Sequence, residues 1–115
     1  MGYYSEEEMG RIRVQLEQDV MGWTGVRQRT MFGCPAYSAG DTLFAFLVTG
    51  GLVLTQWGEH EREELVRREG ATPFRAGTRT VPGWITVPVR TPGDLKSILA
   101  FVRASYDAAI ASPPV

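Results

Sequence analysis

A chain of 115 residues is long enough for one domain with its own core and too short for two. At 43% hydrophobic and 22% charged it has the composition of an ordinary globular protein, able to fold without disulfides or metal. Its 12 basic and 13 acidic residues leave a net charge of −1, which excludes a general attraction to nucleic acid, and its longest apolar stretch, Leu43 to Val48, is too short for a membrane span.

The one cysteine, Cys34, has no partner for an internal disulfide, and no cluster of Cys and His offers a zinc site. A reducing compartment is therefore expected. The opening MGYYSEEEMG is acidic and has neither the basic start nor the apolar run of a signal peptide, so the expected location is the cytoplasm. Residues 70–115 carry a small basic surplus, read as solvated surface charge.

The first helix is predicted from Ser5. In Ser5-Glu6-Glu7-Glu8 the serine hydroxyl can cap the amide of Glu8, and three acids suit the positive end of the helix dipole. Met9, Ile12, Leu16 and Val20 then form one apolar stripe, and Gly22 with Thr24-Gly25 closes the helix. Val26 to Phe32 reads as a strand, with Arg27 and Arg29 on one side and Val26, Gln28 and Thr30 on the other. Gly33-Cys34-Pro35 is expected to interrupt it, and a short strand follows through Ala36–Ser38. Leu43 to Val48 and Leu52 to Trp57 read as an antiparallel pair around a Gly50-Gly51 turn.

Glu59 to Glu69 is predicted as a charged helix anchored by Leu65 and Val66 and stopped by Gly70. Residues 71–74 are expected as a loop and 75–83 as an irregular excursion or a poorly paired edge. Trp84 to Val89 alternates as a strand that Pro88 places at an edge or at its end. The last helix opens at Thr91, with Pro92 in its first position and Asp94 three residues after the cap; Leu95, Ile98, Leu99, Val102 and Tyr106 give its stripe. Ser112 to Val115 reads as a frayed tail. The fold class is α+β, a two-layer sandwich: helix, three or four strands, helix, one or two strands, helix, with a mainly antiparallel sheet and its helices on one face.

Met31-Phe32-Gly33, preceded by Arg27 and Arg29, resembles the signature of the TfoX N-terminal domain family. The likeness continues through Tyr37, Gly40, Leu43-Phe44-Ala45, Gly51-Leu52-Val53-Leu54, Ala71-Thr72-Pro73-Phe74, Pro88 and the helix Leu95–Arg103, over residues 8–108. The resemblance implies a two-layer fold of helix, three strands, helix, two strands and helix. It also implies a link to regulation of transcription or competence, since the family is named for a bacterial regulator of competence genes in which a similar domain is joined to a C-terminal one. It brings no catalytic residues and no cofactor. The sequence departs from the family pattern at Thr55-Gln56-Trp57, where a lysine is common.

Candidate sites have plain alternatives. Cys34 lies in a turn, but nothing in sequence brings it to the single histidine, His60; it reads as a small buried hydrophobe. His60 and Glu64 share a helical face, yet two ligands are too few for a dedicated metal site, so none is expected. Arg27 and Arg29 could form an anion patch, set against a solvated strand face or local ion pairs. Alternation places Phe44, Phe46 and Val48 opposite Leu43, Ala45 and Leu47, so this strand is apolar on both sides. One set of these with Trp57 and Trp84 forms an expected association surface, unless the 75–83 excursion or the N-terminal segment folds over that face.

The leading expectation is a non-enzymatic binding or regulatory domain without cofactor, working as a homodimer through protein contacts. The alternatives are a nucleic-acid-associated regulator using the arginine patch, and a small-molecule binder or unrecognised enzyme with a pocket beside the Met31-Phe32-Gly33 turn.

Overall fold

The computed structural model describes residues 3–56 and 59–111, without the side chains of Glu59 and His60. The element order is α1 (Glu6–Val20), β1 (Val26–Met31), β2 (Cys34–Ala39), β3 (Thr42–Val48), β4 (Gly51–Leu54), α2 (Glu59–Glu69), β5 (Thr72–Ala76), β6 (Arg79–Pro88) and α3 (Pro92–Ala111). The six strands form one antiparallel sheet in the order β1-β2-β3-β4-β6-β5. This is the expected helix–strands–helix–strands–helix order, with four strands in the first run and two in the second. No described helix is long and apolar enough to cross a membrane.

The helix caps follow from their local sequence. Ser5 accepts from the amide of Glu8 at 3.4 Å, and Thr91 accepts from the amide of Asp94 at 3.1 Å while the Asp94 carboxylate returns to the amide of Thr91. The stripe of α1, Leu65 of α2 and Leu95, Ile98, Val102, Tyr106 and Ala109 of α3 all pack on one face of the sheet. Val66, expected beside Leu65 as an anchor, is instead exposed, because neighbours on a helix point about 100° apart.

Three local readings change. Pro35 does not interrupt the second strand, which starts at Cys34. Pairing with β3 begins only at Ala36, so the missing N–H of Pro35 faces a side that needs no donor. Residues 71–74, expected as a loop, enter a strand instead: Thr72–Ala76 pairs with β6 as a hairpin at the edge of the sheet with a slip in register, which is the poorly paired edge weighed for 75–83. The alternation of β3 breaks at a bulge in its pairing with β2. Phe44, Ala45 and Leu47 therefore face the helices, whereas Phe46 and Val48, with Leu43 beside them, face away.

The Gly50-Gly51 pair divides into two roles. Gly50 has φ +82 and makes the turn, while Gly51 belongs to β4. A Cβ on Gly51 would sit 2.9 Å from both Thr86 Cγ2 and the Val87 carbonyl oxygen. Gly51→Ala should destabilise by about 1–3 kcal/mol in urea unfolding, because the backbone of β6 must yield. Gly22→Ala, with nothing within 4 Å, should stay within about 0.5 kcal/mol of the parent.

Candidate binding surface

An antiparallel sheet with helices on one face can leave the other to solvent. Here the second face is apolar and buried: Cys34, Ala36, Phe46, Val48, Val53 and Phe74 form a core of their own, flanked by Tyr4, Met31, Leu43, Ala76, Val81 and Trp84. The β5–β6 hairpin provides the cover. Between the pairs Pro73↔Ile85 and Arg75↔Thr80, β5 has only Phe74 while β6 has residues 81–84, with Gly83 at φ +79. That mismatch bends the hairpin. The Phe74 ring reaches within 5.3 Å of Phe46, and Trp84 lies 5.4 Å from Phe46 and 5.9 Å from Phe74. The N-terminal segment adds to the cover, where the Thr49 amide donates to the Tyr3 carbonyl at 2.8 Å.

The residues proposed for an association surface are thus separated. Phe44 is fully buried under the helices, 5.5 Å from Tyr106; Phe46 is fully buried on the opposite face. Trp84 is half-buried among Phe46 and Phe74, and Trp57 lies outside the described residues. Of the two coverings weighed from sequence, excursion and N-terminal segment, both are present. The Cys34 thiol is buried, and burial pushes its pKa up, so it is not poised as a nucleophile.

Arg27 and Arg29 are exposed on β1, the edge strand, and face the side away from the helices. Neither has an ion-pair partner among the described residues. Opposite Arg27 stands Ser38, whose hydroxyl is buried with no hydrogen-bond partner among the described residues. At the end of β1, Met31 pairs with Cys34, leaving Phe32 and Gly33 as a two-residue turn with φ +54 and +76. These are type I′ angles, which favour Asn, Asp or Gly in the first position. Phe32 is the only non-glycine at positive φ among the described residues, and it is 58% exposed. Its ring centroid lies 6.1 Å from that of Tyr3, itself partly exposed. The sequence reading used Phe32 as part of a family signature and missed it as a surface residue. A bulky aromatic before glycine, between paired strands, was the available signal.

The outer flank of α1 carries alternating charge. Tyr37, buried on β2, donates to Glu17 at 2.7 Å; Arg13 bridges Glu17 at 3.4 Å and Glu6 at 2.8 Å; Tyr4 donates to Glu6 at 2.7 Å. Burial, then the bond to Glu17, pushes the Tyr37 pKa far up, and the same causes with Glu6 push Tyr4 up to about 12. The Arg13 bond, then that of Tyr4, holds Glu6 below its ordinary value.

The TfoX N-terminal domain profile matches residues 18–109. The chain belongs to the TfoX N-terminal domain family. Comparison with curated proteins found no match. Within the family fold as seen here, the Met31-Phe32-Gly33 motif is the tip of the β1–β2 hairpin.

Two measurements test this description. Phe74→Ala should destabilise by about 3–5 kcal/mol and uncover the second face, read as a rise in binding of a hydrophobic dye before global unfolding. Glu6, with a lowered pKa in the folded state, stabilises above 4.5, and that contribution is lost as pH falls through the lower folded value. Glu6→Gln should therefore flatten the stability–pH curve below pH 4.5 and leave its slope above that unchanged.

Proposed function

We propose that this chain is a binding domain of the TfoX N-terminal family that performs no chemistry and acts through protein contacts made by the β1–β2 hairpin. The observation that carries this reading is Phe32, a large aromatic held in the left-handed region and still 58% exposed. A non-glycine residue there costs about 1–2 kcal/mol relative to an ordinary conformation. Burial does not repay that cost in the isolated chain, whereas burial against a partner would. Aromatic side chains are the common anchors of protein interfaces. Family membership supports a regulatory setting, with transcription or competence as the process its name suggests. A homodimer fits this reading if it forms through the hairpin; the aromatic face first expected to mediate it is filled by β5 and β6. A cytoplasmic location is part of the same proposal.

Phe32→Asn separates the binding role from a structural one. Asparagine tolerates positive φ, so the variant should gain about 1 kcal/mol of stability in denaturant unfolding. With a photoreactive phenylalanine analogue at position 32, crosslinking in cells should yield a specific adduct to another protein or to a second copy. A loss of more than about 1 kcal/mol in Phe32→Asn, or no adduct at position 32, would overturn the reading.

A further inference from the structure

The geometry points to β1 as a docking edge that accepts an extended acidic segment of a partner protein, added beside it as a further strand with carboxylates opposite Arg27 and Arg29. This inference rests on the reading of the chain as a binding domain and names the contact.

The backbone supplies the first part of the case. Met31↔Cys34 closes a two-residue turn, and the amide of Gly40 donates to the carbonyl of Gly25 at 3.0 Å. Hydrogen-bonded pairs therefore fall at Gly25, Arg27, Arg29 and Met31, and the N–H and C=O groups of Gln28 and Thr30 point out from the open edge. The register of β1 with β2 runs without a shift from Val26 to Met31. The other edge of the sheet is a poor template, because β5 carries Pro73 and its pairing slips between Pro73 and Arg75. β1 is thus the regular open edge, and a strand added there satisfies the outward groups.

Charge identifies the occupant. Arg27 and Arg29 are exposed, project to the same side of the strand, and have no ion-pair partner among the described residues. They stand two residues apart, about 7 Å along the strand, the spacing of alternate side chains on a neighbouring strand. Carboxylates at alternate positions of an incoming segment meet both guanidinium groups. A second copy of this chain fits less well: antiparallel pairing centred on Gln28 sets Arg27 against Arg29 of the twin, and like charges directly opposite are destabilising. The other side of the new strand would lie beside Val26, Gln28 and Thr30, which suits β-branched or small polar residues.

The test is a titration of the isotope-labelled chain with a short peptide alternating glutamate and valine, and with its lysine counterpart. The glutamate peptide should bind at least about tenfold more tightly than the lysine peptide, and the Gln28 and Thr30 amides should exchange at least about tenfold more slowly when it is bound. In the double variant Arg27→Glu, Arg29→Glu the preference should reverse. Binding that ignores the sign of the peptide, leaves those two amides unprotected, or is reproduced by a single-stranded oligonucleotide would overturn the proposal. So would a double variant that self-associates with unchanged peptide binding, which would make the arginines guards of the edge only. If the glutamate peptide fails while crosslinks from position 32 persist, the edge assignment falls and the binding-domain reading stands; if the crosslinks also fail, both fall.

Discussion

The contact between the Phe46 and Phe74 rings governs the rest of this structure. β3 and β5 are three strand spacings apart, about 14 Å in a flat sheet. Their rings lie 5.3 Å apart, so the β5–β6 end of the sheet must coil over its own outer face. A domain this small has three helices, and all of their core side chains go to one side. The other side would expose Phe46 and Val53 to water, at about 2–3 kcal/mol for each large side chain left uncovered. The sheet resolves this by using its own terminal hairpin as a second layer.

A smaller device in β3 fastens the helical side. The bulge turns both Phe44 and Ala45 toward the helices, and the Phe44 carbonyl points to the side where the chain continues beyond β4 to Thr55. That oxygen accepts from the Thr55 amide at 3.2 Å and from the fully buried Ser105 hydroxyl at 2.7 Å, and the Ser105 oxygen in turn accepts from the Gln56 amide at 3.1 Å. The Ser105 hydroxyl thus ties α3 both to β3 and to the segment that follows β4, at a net contribution of about 1 kcal/mol for each hydrogen bond. Phe44 completes the joint by packing edge-on against Tyr106, whose hydroxyl donates to the Thr24 carbonyl.

Over β3 and β4 both faces of the sheet are covered, whereas residues 27–30 of β1 are exposed. The β1 edge with its two arginines is open, and at the hairpin tip Phe32 stands out of the core, the most exposed large hydrophobic side chain among the described residues. The sequence showed Arg27 and Arg29 on one side of a strand, because alternation is a property of the backbone. It did not show that this strand lies at the edge, since strand order depends on which elements pair across the whole chain. It placed Phe46 and Trp84 among apolar candidates and could not show that Phe74, on a stretch read as loop, would cover them. Proline and glycine near Phe74 were read as signs of irregular structure, whereas here they accompany a bent hairpin.

Sequence alone determined the helices and their inward stripes, the caps at Ser5 and Thr91, most strands of the sheet, the α+β class and the family. Each follows from local chemistry: capping residues three positions apart, apolar spacing near 3.6 or 2, and turn glycines. Tertiary structure alone decided that Gly51 is a point of close strand approach, that Phe44 and Phe46 part to opposite faces, that the second face is sealed, and that Phe32 is not. Those outcomes depend on register and on contacts between distant segments, where a one-residue bulge reverses the facing of a side chain and no local pattern records it.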